Sequence, residues 1–200
     1  MTSRLGVLIS GRGTNLQSLI DASRDGRLDA TISVVISNEE HAAGLDRAHA
    51  AGIETVVLSH RGSSREQFER TVIRELQGRE IDLVCLAGFM RIFAGPMIDA
   101  YPAAILNIHP SLLPAFPGVD AQRQALEHGV KVTGVTVHLV TRELDGGPIV
   151  VQRTVAVLDG DTRDSLAARV LEEEHLAYPE AVAIILGRRW TIVGRRFVRL

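Results

Sequence analysis

Short apolar runs rich in branched side chains recur along the chain, separated by longer stretches where apolar residues return every three or four positions. The runs lie at residues 5–10, 32–37, 55–58, 82–87, 104–108, 132–140 and 149–157 and predict strands. The stretches at 15–24, 42–51, 64–78, 96–100 and 121–128 predict helices. The longest helix is expected at 162–186, where Thr162 offers a cap and Leu166, Val170 and Leu171 begin a buried face. Strands alternating with helices predict an α/β fold, a mainly parallel twisted sheet with helices on both faces. The first five runs are dominated by apolar residues with no strict polar alternation, as strands covered on both sides are. No helical pattern separates the runs at 132–140 and 149–157, and Gly146-Gly147 supplies a turn, so antiparallel strands are expected near the C-terminal part. Residues 190–200 read as a short hairpin or edge segment. There is no internal repeat and no linker. The expected organisation is one domain over 1–188, with 189–200 as a C-terminal strand or hairpin extension of it.

Composition narrows the picture without changing it. Two hundred residues suit one sizeable core, and 46% apolar with 23% charged residues is the range of soluble globular chains. A net charge of −2 with no Lys/Arg block gives no electrostatic footprint for nucleic acid. The apolar segment 182–186 is too short for a bilayer, and 6–10 too short for a signal-peptide core. Cys85, the one cysteine, lies within an apolar run and reads as a buried small hydrophobe. A cytoplasmic protein with small-molecule partners, no nucleic acid and no membrane is expected.

The most informative stretch is Leu106-Asn-Ile-His-Pro-Ser-Leu-Leu-Pro-Ala-Phe-Pro-Gly118. Alternate residues of a strand share a face, so Asn107 and His109 are expected side by side at a strand end. Pro110, Pro114 and Pro117 stiffen the loop that follows. Such a loop, presenting an amide and an imidazole, suits chemistry, although a Pro-rich connector with a solvated histidine reads the same way. Ser10-Gly-Arg-Gly-Thr-Asn15 follows the first strand and opens the first helix, where free amides attract an anion. Leu16 stands where a dinucleotide fingerprint wants a third glycine, so one phosphate fits better than a pyrophosphate, and a plain tight turn fits equally. Asp145, in Leu144-Asp-Gly-Gly-Pro148, is either an ordinary Asp-Gly turn or a carboxylate poised to pair with His109. Leu86-Ala-Gly-Phe-Met-Arg-Ile-Phe93 leaves a strand at Gly88 and is either a pocket wall or core. The run Glu172-Glu-Glu-His175 circles its helix, so one acid can point inward; His138 reads as a satisfied sheet histidine. No His-x-x-x-His or Cys-x-x-Cys spacing marks a metal, and no Gly-x-Ser-x-Gly elbow is present.

Taken in order, Ser10–Asn15, Leu86-Ala-Gly-Phe-Met-Arg91, Asn107-Ile-His-Pro-Ser-Leu-Leu-Pro114, Leu144–Pro148 and Glu174-His-Leu-Ala-Tyr-Pro179 resemble the folate-dependent formyltransferases, over about residues 5–187. The proline block is shared across that family. The Ser-Gly-x-Gly-Thr-Asn start and the chain length single out its phosphoribosylglycinamide formyltransferase branch of purine biosynthesis. The resemblance implies a Rossmann-like formyltransferase fold and formyl transfer from 10-formyltetrahydrofolate, as co-substrate, to the amine of glycinamide ribonucleotide. No metal is implied.

The resemblance also implies roles. Asn107, His109 and Asp145 would be catalytic, the first two as donors to a developing oxyanion and Asp145 as support for the ring and a proton relay. Gly13, Thr14 and Asn15 would take the phosphate, and Leu171, Glu172, Glu173 and Glu174 the glycinamide end. Arg65, Met90, Arg91, Ile92, Phe93, Asn107, Thr141, Arg142, Glu143, Leu144 and Asp145 would line the folate pocket. The chain departs from the family's habit at Ala115, Asp120, Gln122 and Arg142, all beside the site or the folate mouth. A sister enzyme acting on an amino-sugar nucleotide shares the chemistry; a nucleotide-binding α/β module is the rival of another class. Either a monomer or a homodimer is compatible with the sequence.

Overall fold

Branched residues place strands at all seven of the expected runs. A computed structural model describes residues 2–93 and 95–200, and the chain divides into two compact units, 1–107 and 108–200. The first unit carries β1 (Ser3–Ile9), β2 (Ala30–Ser37), β3 (Thr55–Val57) and β4 (Leu83–Leu86), together with the start of β5 (Ile105–His109). They lie in the order β3-β2-β1-β4-β5, every pair parallel. In register, Val7 stands between Val35 and Cys85, and Cys85 stands next to Leu106. Val7, Val35, Cys85 and Leu106 are fully buried, which explains why these runs show no polar alternation.

Helices α1 (Thr14–Arg24), α2 (Gly44–Ala50), α3 (Arg65–Gln77) and α4 (Gly95–Ala100) connect these strands. A reciprocal capping box fixes the start of α3, with Ser64 accepting from Gln67 N and Gln67 accepting from Ser64 N. Glu69, buried in α3, accepts the Met97 amide at 3.1 Å and so holds the first turn of α4.

The second unit opens on the end of β5 and continues through α5 (Ala121–Glu127), β6 (Val132–Leu139), β7 (Ile149–Ala156) and α6 (Arg163–Leu186). As expected, β6 and β7 are antiparallel, with a register shift between Val137 and His138. Thr162 caps α6 through a capping box with Ser165, and Leu166 and Val170 pack with Ala125 and Val155. Of the two forms open to residues 190–200, the chain takes the hairpin, β8 (Trp190–Val193) with β9 (Arg196–Arg199). Trp190 stacks on Phe197 at 5.2 Å and donates its indole N–H to Ile185 O at the end of α6. Among the described residues no helix is long and apolar enough to cross a membrane.

Candidate active site

The proline loop is stapled to the antiparallel pair by one buried hydroxyl. Thr136 Oγ1, on β6, donates to Ser111 O at 2.7 Å and accepts from Leu113 N at 3.0 Å and from Gln152 Nε2 at 3.0 Å. The same Gln152 amide, on β7, donates to Leu113 O at 2.9 Å. Ser111 Oγ closes the loop on itself by donating to Ala115 O at 2.5 Å. Besides the prolines, Thr136 and Gln152 tie this loop down, and alternation alone reads both as ordinary strand residues. The peptide bond between Leu113 and Pro114 is cis, and Phe116 and Asp120 sit in the left-handed region at φ 55 and 57. Asp120 is held there by Arg123 at 3.0 Å and Arg163 at 2.7 Å.

This loop folds back over His109, at the end of β5. The buried ring donates from Nε2 to Phe116 O at 2.8 Å and turns Nδ1 toward Asp145 Oδ2 at 3.5 Å. Both ring nitrogens thus face acceptors. Asn107 precedes His109 by two residues on the same strand, in register with Leu86, and is half-buried.

Asp145 comes from the connection between β6 and β7. Gly146 N donates to Glu143 O at 3.2 Å, closing a turn with Leu144 and Asp145 at its apex, and Asp145 takes φ 49. Thr141 Oγ1 donates to Glu143 O at 3.4 Å, while Arg142, Glu143 and Leu144 are exposed. The carboxylate of Asp145 is 8% exposed and accepts Gly118 N at 2.8 Å. Its second oxygen lies 3.8 Å from His138 Nε2. The expected pairing of His109 with Asp145 is therefore made, and a second imidazole stands on the other side of the carboxylate.

His138 Nδ1 lies 3.1 Å from Leu139 O, so that nitrogen carries the proton and Nε2 faces Asp145. Burial holds this ring below the ordinary 6.5, outweighing the opposing pull of the Leu139 carbonyl and Asp145 and reinforced by His109. The unfolded ring takes up a proton as pH falls through 6.5 while the folded one does not, so folding stability declines on the acid side until the folded value is reached. His138→Gln removes this slope. Urea unfolding at pH 8 and pH 5.5 is expected to show a smaller acid loss in the variant than in the parent; parallel losses would refute the assignment.

The loop 10–15 belongs to the first unit. Gly13 adopts φ 68 just before α1, and a Cβ there would lie 2.6 Å from Gly44 Cα, so the starts of α1 and α2 abut through two glycines. Gly44 N donates to Gly11 O at 2.9 Å and Arg47 Nε to Arg12 O at 2.9 Å, pinning the loop to α2. No acidic residue occupies the first turn of α1, so the positive end of its dipole is not offset by a side chain there. Ser10 Oγ donates to Asn38 Oδ1 at 2.5 Å and accepts Met90 N at 2.8 Å, bringing the segment after β4 to the segment after β1.

The remaining expected residues divide by burial. Met90, Arg91 and Ile92 are exposed, whereas Phe93 is buried and stacked on Phe89 at 5.3 Å. Arg65 is exposed at the start of α3. On α6, Leu171 and Glu173 are half-buried, Glu172 is exposed and Glu174 is the acid that points inward. Glu173 pairs with Arg153 at 3.4 Å. Among the described residues no group of three or more His, Cys, Asp or Glu is placed to hold a metal ion.

Comparison with known proteins gives one family. The formyl transferase model matches residues 3–182. The phosphoribosylglycinamide formyltransferase of Escherichia coli is 46% identical over 178 residues, covering 88% of this chain and 84% of that protein. The human trifunctional purine biosynthetic protein adenosine-3 is 48% identical over 184 residues, covering 92% of this chain. This chain spans only 14–18% of the length of such trifunctional relatives from fly, human and chicken. The crystal structure of glycinamide ribonucleotide transformylase 1 from Symbiobacterium toebii superposes with a TM-score of 0.98 at 52% identity, covering all of this chain and 94% of that one. The chain belongs to the formyl transferase family.

Proposed function

We propose that this chain transfers the formyl group of 10-formyltetrahydrofolate to the amine of glycinamide ribonucleotide, giving formylglycinamide ribonucleotide and tetrahydrofolate in de novo purine synthesis. The observation that carries this reading is the buried Asp145 carboxylate 3.5 Å from His109, on the strand that also bears Asn107. The amine adds to the formyl carbon and the carbonyl electron pair moves onto oxygen. Asn107 and the Nδ1 side of His109, whose Nε2 is held by Phe116 O, donate to that oxygen, where preorganised donors have their largest effect. Asp145 passes the proton lost by the amine, through a water, to the folate nitrogen. The pair on oxygen then returns, the bond to that nitrogen breaks, and the amide product forms.

Gly13, Thr14 and Asn15 hold the phosphate at the N-terminal end of α1, where the helix dipole favours an anion. Leu171 to Glu174 hold the glycinamide end, with buried Glu174 as its acceptor. Arg65, Met90 to Phe93, Asn107 and Thr141 to Asp145 bind the folate, largely through backbone and exposed apolar surface. Residues 1–188 work as one formyltransferase domain with 189–200 as its extension. The protein acts in the cytoplasm on small molecules, as a monomer or homodimer, without metal, nucleic acid or membrane.

The test is one assay with two acceptors and a chelator. Purified chain with 10-formyltetrahydrofolate is expected to formylate glycinamide ribonucleotide, to leave an amino-sugar nucleotide unmodified, and to be indifferent to EDTA. No turnover, preference for the sugar acceptor, or loss with EDTA that added metal reverses would each overturn it.

A further inference from the structure

The turn that carries Asp145 is gripped from outside by the C-terminal hairpin. Arg195 occupies the second position of the two-residue turn between β8 and β9, after Gly194 at φ 62. Its guanidinium reaches 52 and 49 positions back along the chain. One nitrogen donates to Glu143 Oε2 at 3.0 Å and the other to Gly146 O at 2.8 Å. Glu143 and Gly146 are the two ends of the turn whose apex is Leu144-Asp145. The hairpin is itself anchored, by Trp190 on Phe197, by the indole bond to Ile185 O, and by Arg199 at 3.7 Å from Glu180 on α6.

A planar fork reaches two separated acceptors from two different nitrogens held in fixed geometry, whereas lysine must serve both from a single nitrogen on a flexible stem. The turn needs such help, because Asp145 is a non-glycine residue at φ 49, a conformation that costs energy and persists only where neighbours enforce it. The pair of Arg195 with Glu143 is mostly exposed and contributes little to global stability. Its effect is therefore local, on the order of the turn and on where the Asp145 carboxylate stands relative to His109. The hairpin lies outside residues 3–182, the part that the family model describes.

We propose that Arg195 is a positioning residue for Asp145, acting through both ends of the 143–146 turn. The consequence for turnover rests on the reaction proposed above; the consequence for the turn does not. Three variants separate them: Arg195→Ala, Arg195→Lys and, as a control in the same hairpin, exposed Arg196→Ala. In substrate-free protein, amide hydrogen exchange over 141–148 is expected to be about fivefold faster in Arg195→Ala, with the rest of the chain unchanged. Its kcat falls about tenfold while the acceptor KM stays within about twofold, the signature of a misplaced catalytic group. Thermal stability moves by no more than about 2 °C. Arg195→Lys falls between parent and Ala, and Arg196→Ala matches the parent.

Parental exchange in Arg195→Ala overturns the proposal, as does an equal change in Arg196→Ala or a rise spread over the whole chain. If the parent transfers no formyl group, the proposed function falls. Faster exchange confined to 141–148 then still upholds the grip on the turn, and unchanged exchange removes it.

Discussion

Asp145→Asn is expected to lower kcat for the proposed formyl transfer about 100-fold or more and to leave the fold intact. The amide is close in shape to the carboxylate and keeps an oxygen for the Gly118 amide, now at 2.8 Å. What it loses is the negative charge beside His109 and the capacity to take and return a proton. Because the site is buried, no water can stand in for that charge at comparable strength. Asn107→Ala and His109→Ala are expected to fall by a similar factor. Groups that act as a unit are not additive, so Asp145→Asn in the His109→Ala background costs much less than it does alone. Steady-state and single-turnover rates, with circular dichroism as the folding control, decide this. Near-parental turnover in Asp145→Asn would remove the carboxylate from the chemistry.

Gly147→Ala is expected to destabilise the protein by about 3 kcal/mol. The difficulty is space. A Cβ on Gly147 would overlap the Leu139 carbonyl oxygen, and backbone cannot swing aside as a side chain can. Leu139 N donates to Pro148 O at 2.9 Å, so moving either strand enough to admit a methyl group breaks the first rung between β6 and β7. That displacement reaches His138 and the turn bearing Asp145, and turnover falls with stability. Gly146→Ala is the informative contrast, since the nearest atoms to its Cβ belong to the side chain of Glu143, which can shift where backbone cannot. Urea denaturation of both variants separates the cases, and a Gly147→Ala protein as stable as its parent would refute the steric account.

How much of this was readable beforehand depends on whether the signal was local. Apolar runs gave the strands because burial on both faces leaves a mark in every residue, as at Val7 and Cys85. The polar pair Asn107 and His109 stood out because it interrupts such a run. Thr136 and Gln152 gave no sign, since a hydroxyl and an amide on alternating strands look the same whether they face solvent or staple a loop 25 and 39 residues away. His138 was read correctly as a satisfied sheet residue, yet its approach to Asp145 depends on a register shift beside Val137 that has no sequence signature. Backbone conformations were hidden too. Phe116, Asp120 and Asp145 occupy the left-handed region where a sequence reader looks for glycine. Among the three acids on α6, helical periodicity promised that one would turn inward, and only tertiary packing chose Glu174.

Cys85 gives the protein a built-in clock. The thiol is the chain's only one, and it sits without exposure in β4, flanked by β1 and β5. A bulky thiol reagent can reach it only in excursions that part those strands, so the rate of labelling under native conditions counts how often the centre of the parallel sheet opens. Ligands that bind only the closed sheet slow that count, which makes their occupancy measurable without following the reaction at all.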